Sequence, residues 1–347
     1  MCTNFSIPVS GEKPVHRVSA RTMDFGILFK TVLKKFAVGE SFPDGPHAII
    51  HPLKWKAKYG FIGAVVELPV INADVPLPSV SDGMNSAGLS VATLWLPGSE
   101  YPRATGTKDN RIWVSDFPSW ALGNFATVRD LNAAMDGGAV QIEGVPFLQN
   151  KIPLHFMVQD QAGDCLVIEF HSGEVVKTLT DDGLLTNAPF YSEQLENLHQ
   201  EKYKKLTPRN TEYQYGQETN GSGMLGLPGD ATPPSRFVRA AKMCLSVYRP
   251  EPGNEQQNIS FAWQLLQTVW VPCGTITEMD HPEKMSDFTQ WAVIRDYTKK
   301  QYYFYSYLNP TLHKIDLQKL DFSTSSDVEV PIICQDDWFI DATAKFK

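Results

Sequence analysis

Met1-Cys2-Thr3-Asn4-Phe5-Ser6-Ile7-Pro8-Val9 opens the chain. Phe5, Ile7 and Val9 alternate with Asn4, Ser6 and Pro8, the period of a half-buried strand. A chain that begins in a strand holds its second residue inside the fold rather than on a loose leader, and that residue is Cys2. Removal of Met1 would leave a thiol and a free α-amine on one Cα. A thiol titrates near ~8.5 and an α-amine near ~7.7–8.0. Both therefore lie close to working pH, where a nucleophile paired with a general base is most useful. Plainer uses of Cys2 are a small buried hydrophobe or a lipid attachment point behind a removed export signal. A lipid anchor is normally followed by a polar tether, which the alternation over residues 4–9 does not supply.

The rest of the chain bounds what such a residue could serve. The 347 residues carry a net charge of −8 with no cluster of basic residues, which argues against nucleic acid and anionic membrane surfaces as partners. No run approaches ~18 apolar residues, so no membrane span is expected, and no secretory leader is seen. The expected location is cytoplasmic, or periplasmic if an export signal has been removed. The five cysteines, Cys2, Cys165, Cys244, Cys273 and Cys334, are scattered with no CxxC pair, and the histidines form no metal motif. Neither a metal nor a cofactor is called for. GxSxG, Walker and dinucleotide-binding loops are missing as well.

Strand signals flank the polar turn 10–14, giving a hairpin of 2–9 with 16–25. A second hairpin joins 80–84 to 89–96 through Asn85-Ser86-Ala87-Gly88. Strands are also read at 60–68, 154–158 and 165–170, and a third hairpin at 289–297 and 301–308. Its aromatic run Tyr302, Tyr303, Phe304 and Tyr305 reads as core. Helices are expected over 111–125, from a Thr127 cap to Gly137-Gly138, and over 192–205, 235–248 and 255–270. Residues 206–234 form a long Gly/Pro-rich segment of the kind that tends to be functional. Without strict βαβ alternation the sheets should be mostly antiparallel. The expectation is one α+β domain, 1–347, with two sheets face to face and helices outside.

A Cys2 nucleophile needs partners. Arg21 and Asp24 end the strand that should pair with the Cys2 strand. An Arg near sulfur favours thiolate, and a carboxylate could orient the amine; a plain strand-end ion pair is the bland alternative. Asn187, in Leu185-Thr186-Asn187-Ala188-Pro189, offers an amide donor at a strand end, suited to an oxyanion or merely to a turn before proline. Arg236 follows Ser235, a natural N-cap, and could close the site from the loop side or lie on the surface.

In order, Cys2-Thr3, Arg21-Thr22-Met23-Asp24, 82–89 (Asp82-Gly83-Met84-Asn85-Ser86-Ala87-Gly88-Leu89), 185–189, Leu227-Pro228-Gly229-Asp230 and Ser235-Arg236-Phe237 resemble the choloylglycine hydrolase family. This family contains penicillin V acylases and conjugated bile salt hydrolases, and the resemblance covers nearly the whole chain. It implies an αββα four-layer sandwich of the N-terminal-nucleophile type and hydrolysis of a linear amide without cofactor. It also implies Cys2 as nucleophile with its amine as base, Arg21 and Asp24 beside it, Asn187 at the oxyanion and Arg236 completing the site. Members are generally homotetramers. Trp95 stands where many bile salt hydrolases have Asn and some penicillin V acylases have Tyr. With Phe25 it would form an aromatic wall that favours an aryl or alkyl acyl group over a hydroxylated steroid. The 94–102 stretch resembles the Gram-negative penicillin V acylase branch, whereas 221–230 looks more like bile salt hydrolases. Penicillin V, N-acyl homoserine lactones and conjugated bile acids are the implied substrates. A lipid-anchored or catalytically silent binding protein on the same scaffold is the contrasting expectation.

Overall fold

The computed structural model describes residues 1–7, 16–43, 53–68, 77–103, 109–145, 152–208, 223–246, 255–277, 286–334 and 336–346. Two antiparallel sheets form its centre. One has six strands, running Cys2–Ser6, Val18–Phe25, Ser286–Asp296, Gln301–Ser306 and His313–Asp316, with Ile276–Thr277 paired on Ser286–Asp296. The other has eight, running Glu174–Thr180, Cys165–His171, Leu154–Gln159, Ser90–Trp95, Leu77–Asn85, Phe61–Leu68, Thr31–Phe36 and Val330–Pro331. Helices Pro233–Ser246 and Glu255–Val269 pack on the first sheet, and Phe117–Asn124 and Val128–Asp136 on the second. The architecture is thus the four-layer αββα sandwich expected from the sequence. One contiguous apolar cluster, from Phe5 and Ala20 to Phe156 and Val293, fills the space between layers.

Local chemistry explains the hairpins. The Asn85 side chain accepts from Ala87, Gly88 and Leu89 N–H and donates to Leu122 and Phe125 carbonyls, while Gly88 adopts φ +96°. That turn aligns Leu77–Asn85 with Ser90–Trp95. Cys2 lies opposite Met23 in the first hairpin, whose turn (10–14) falls outside the described residues. Tyr302, Tyr303, Phe304 and Tyr305 are all buried, as a core stripe should be. The Thr127 side chain accepts from Asp130 N–H and caps its helix as read.

Three readings need correction. The helix expected over 111–125 begins only at Phe117; Arg111–Trp113 is a strand, paired in parallel with Gln141–Glu143. That pairing is non-local, and no periodicity reports it. The helix expected over 192–205 is two, Tyr191–Leu198 and Glu201–Lys204, separated at His199-Gln200. The helix expected from Ser235 begins at Pro233, so Ser235 is not its cap; it lies in the first turn and donates to Asp230. Of the long segment 206–234, residues 209–222 lie outside the described residues.

Cys2–Ser6 is the outer strand of its sheet, yet its free side is taken. Asn4 and Leu185 exchange backbone hydrogen bonds of 2.8 and 3.0 Å, and Ser6 N–H donates to Asp182 O at 3.0 Å. This close approach requires Gly183, which has φ +58° and where a Cβ would come 2.1 Å from Gln159 Nε2. Between the sheets, Arg295 grips the Asp82 carboxylate through Nε and Nη2, Tyr302 OH donates to the same group, and all three are fully buried. Buried charge is tolerable here because it is paired and hydrogen-bonded on every side.

Candidate active site

The strand pairing sets Cys2, Arg21 and Asp24 side by side, and the segment that closes the outer edge delivers Asn187 to them. Cys2 is only 4% exposed. Its nitrogen, a peptide N–H while Met1 is attached, donates to Asn187 Oδ1 at 2.7 Å. Its carbonyl accepts from Arg236 Nη1 at 2.7 Å, and its sulfur lies 3.4 Å from Arg21 Nη2. All three polar positions of Cys2 are thus engaged by residues far apart in the chain.

Each partner is itself fixed. Arg21 donates to Ser81 O at 2.7 Å and Thr93 O at 2.5 Å, reaches Asp82 Oδ2 at 3.3 Å and lies over the Trp291 ring at 5.1 Å. Asp24 pairs with Arg236 at 3.7 Å and accepts from Thr289 Oγ1 at 2.7 Å and Thr22 Oγ1 at 3.3 Å. Arg21 and Asp24 are therefore not partners of each other: each finds its counter-charge on another element. Burial pushes the Asp24 carboxyl above its usual value, more than Arg236, the chain-terminal ammonium and the hydroxyl donors pull it down. Burial likewise lowers Arg236, against the pull of Asp24. Arg236 also donates to Asn187 Oδ1 at 2.9 Å and to Ala231 O. Met1 sits over the Asp24 backbone, its N–H bonded to Asp24 O and its carbonyl accepting from Asp24 N–H.

Asn187 Nδ2 donates one N–H to Trp95 O at 2.6 Å and keeps a second N–H. Trp95 lies opposite Leu154, but the donors there go elsewhere: Leu96 N–H to Pro153 O and Leu154 N–H to Tyr101 OH. The alternation of an antiparallel ladder turns Trp95 N–H away from that strand. A strand residue presents its N–H and C=O on the same side, so Trp95 N–H faces the side where Asn187 binds its carbonyl.

A cavity of about 50 Å³ opens beside the sulfur. Its walls are Met23, Phe25, Phe29, Leu94, Trp95 and Leu154, with Cys2 and Arg21 at the polar end. Phe25 meets Trp95 edge-on at 5.2 Å and Phe29 at 4.9 Å, so the two aromatic residues read from the sequence share one wall. Larger cavities of about 320 and 640 Å³ do not include Cys2: the first lies beside Asp116 and shares only Ser79 with this one, and the second lies beside Trp263. The structure brings Cys2, Arg21, Asp24, Phe25, Trp95, Asn187 and Arg236 together. Thr22, Ser81, Thr93 and Thr289 were not singled out in the sequence; they act through short hydroxyls or backbone carbonyls, which leave no spacing signature. Asp82 stood in a recognised motif but without a role.

The sequence model of a family described as linear amide C–N hydrolases, choloylglycine hydrolase family, matches residues 2–333. The chain belongs to that family. It is a hydrolase of carbon–nitrogen bonds in linear amides. Among its curated relatives, a penicillin V acylase of Pectobacterium atrosepticum is 27% identical, over 93% of this chain and 82% of the relative. A bile salt hydrolase/transferase of Clostridium perfringens is 29% identical, over 70% of this chain and 74% of the relative. The solved penicillin V acylase of Agrobacterium tumefaciens superposes with a TM-score of 0.71 at 28% identity, covering 94% of this chain and 90% of that one. Among the described residues, no helix is long and apolar enough to cross a membrane, and no group of three His, Cys, Asp or Glu could hold a metal.

Proposed function

We propose that Cys2, once freed of Met1, is the nucleophile of an amidase for small aryl- or alkyl-acyl amides, of which penicillin V is the type and N-acyl homoserine lactones a second case. The carrying observation is the convergence on Cys2: nitrogen to Asn187, carbonyl to Arg236, sulfur to Arg21. The α-amine takes the thiol proton, and the thiolate attacks the amide carbonyl. The oxyanion accepts from the second N–H of Asn187 Nδ2 and from Trp95 N–H, donors held before the charge develops. The C–N bond then breaks as the ammonium returns its proton to the leaving nitrogen, leaving an acyl thioester. Water gives a proton to the same amine, adds to the thioester, and the acid departs with the thiol restored. Asn187 Oδ1 accepts from the Cys2 nitrogen and so aims the amine. Asp24 and Arg236 sit behind it as a buried pair.

The cavity supports the acyl class. Phe25, Phe29 and Trp95 beside Cys2 offer apolar aromatic contact for a phenyl or short alkyl group, and the space of about 50 Å³ between them is far below the ~300–1,000 Å³ of sites for drug-sized molecules. Bile salt hydrolysis is the second reading. It is favoured by the 221–230 stretch and by the bile salt hydrolase/transferase among the relatives, and it requires the wall to open. Cys2→Ala should abolish turnover with the fold intact, and a Cys2→Ser protein that kept full amidase activity would refute the nucleophile. Hydrolysis rates on penicillin V, acyl homoserine lactones of several chain lengths and glycocholate decide the acyl group. Intact mass should show Met1 lost from the active form.

A further inference from the structure

The connection 26–30 joins Val18–Phe25 to Thr31–Phe36, and its flanking aromatic residues, Phe25 and Phe29, line the Cys2 cavity. Its two middle apolar residues, Ile27 and Leu28, are 45% and 54% exposed, so of its own apolar side chains only Phe29 is buried. One side chain from another strand holds its backbone. Gln290 Nε2 donates to Phe25 O at 3.1 Å and to Ile27 O at 2.6 Å, while Gln290 Oε1 accepts from Phe29 N–H at 3.1 Å. Gln290 is fully buried, and these three bonds use both of its N–H groups and its oxygen.

Its position in the strand explains the reach. The register of Ser286–Asp296 against Val18–Phe25 shifts between Thr289 and Trp291, so Gln290 is the extra residue of a bulge. A bulge re-aims a side chain that a regular ladder would place on one face. On either side of the bulge, Thr289 holds Asp24 and Trp291 Nε1 donates to Thr31 Oγ1 at 3.3 Å, at the far end of the same connection. The bulge thus ties the charged cluster behind Cys2 to the aromatic wall in front of it.

We infer that Gln290 is a positioning residue that sets acyl specificity. It touches neither the sulfur nor the reacting carbonyl; it fixes the backbone that presents Phe25 and Phe29, and so the width of the slot that admits the acyl group. This inference rests on the reading of the cavity as the acyl site. Without the clamp the connection loosens, the slot widens, small aryl groups lose their fit, and longer acyl chains gain.

The test is steady-state kinetics of wild type, Gln290→Leu and Gln290→Glu on penicillin V and on decanoyl-homoserine lactone. It is paired with calorimetric titration of phenoxyacetate into the same proteins carrying Cys2→Ala. Gln290→Leu keeps the volume and loses all three bonds. Gln290→Glu keeps the acceptor for Phe29 and sets a carboxylate against two carbonyls, so it should be no better. The expected result is a KM for penicillin V raised about tenfold with kcat within about threefold, a penicillin-to-decanoyl preference shifted about tenfold toward the long chain, and phenoxyacetate bound about tenfold more weakly. A purely structural role would lower kcat on both substrates together and leave the preference and the phenoxyacetate affinity unmoved; that outcome overturns the inference. If Gln290→Leu does not fold, Gln290→Asn, one methylene short, is measured instead and the same ratios decide. Turnover surviving Cys2→Ala would break the nucleophile reading alone, because phenoxyacetate affinity reports on the wall without any chemistry.

Discussion

Arg236→Met is the most revealing perturbation of the buried cluster. In the native protein its guanidinium lies 3.7 Å from the Asp24 carboxylate, with both side chains fully inaccessible. At an effective dielectric of ~20, unit charges at this distance attract by about 4 kcal/mol. Removing one partner of such a pair costs about 3–5 kcal/mol, because the other charge is left buried and unopposed. Asp24→Asn should cost a similar amount by stranding Arg236. If the two losses were independent, the double variant would lose about 6–10 kcal/mol; with the pair as their shared cause it should lose little more than either single. Urea denaturation of the four proteins at pH 7.5 gives the coupling energy, expected at about 3–4 kcal/mol. A coupling below about 0.5 kcal/mol would refute the assignment of Arg236 as the counter-ion of Asp24.

A pH series sharpens the same experiment. Burial already raises the folded-state value of Asp24 above that of the unfolded chain, and Arg236 opposes the shift. In Arg236→Met the shift grows. A raised folded value stabilises the protein while the group is protonated and is lost as pH rises through that value. Arg236→Met should therefore regain stability relative to wild type as pH falls from about 8 toward 5, and the double variant should not.

Two further outcomes are expected. Asn187→Ala removes the acceptor of Cys2 N–H and the donor to Trp95 O. It should lower kcat about 10²–10³-fold while costing about 2–3 kcal/mol of stability, read by stopped assays and thermal melts. Asp116, partly buried against a cavity also lined by Lys34, Lys35, Glu40, Asp327 and Glu329, is pushed up to about 7 by burial. Its protonated form stabilises the fold fully below 3.8, and the benefit is lost as pH rises through about 7. A shift of that size is worth about 4 kcal/mol, and partial exposure brings the expectation to about 2. Asp116→Asn should therefore gain about 2 kcal/mol over wild type at pH 8, about 0.8 kcal/mol at pH 5 and almost nothing below pH 3.8. Identical pH profiles from calorimetry would dispose of it.

Much of this site was legible because its members sit at strand ends and turns with strong local signatures. Cys2 follows from an alternating opening, and Arg21 and Asp24 from the end of a strand that a hairpin must bring back. Asn187 and Arg236 gained their roles only through the ordered resemblance, since an Asn before a turn and an Arg in a helix's first turn have bland uses as well. Partners that act through a carbonyl, such as Ser81 and Thr93 beneath Arg21, were invisible, because every residue has a carbonyl. Arg111–Trp113 was misread for a related reason: its state depends on Gln141–Glu143 arriving alongside, a contact with no periodicity of its own. Glu174–Thr180 escaped notice because it is an outer strand with Val176 and Leu179 exposed, which blurs the in–out pattern.

The reciprocal bonds between Asn4 and Leu185 bear on how the chain end behaves over time. Chain termini usually fray first and exchange their amide protons fastest. Here the terminal strand cannot peel away without also releasing the segment that carries Asn187. Opening of the first residues and dismantling of the site are therefore one event. The amides of Asn4 and Leu185 should exchange with deuterium as slowly as those of the central strands. A terminus usually given up to disorder is here held as firmly as the middle of the sheet.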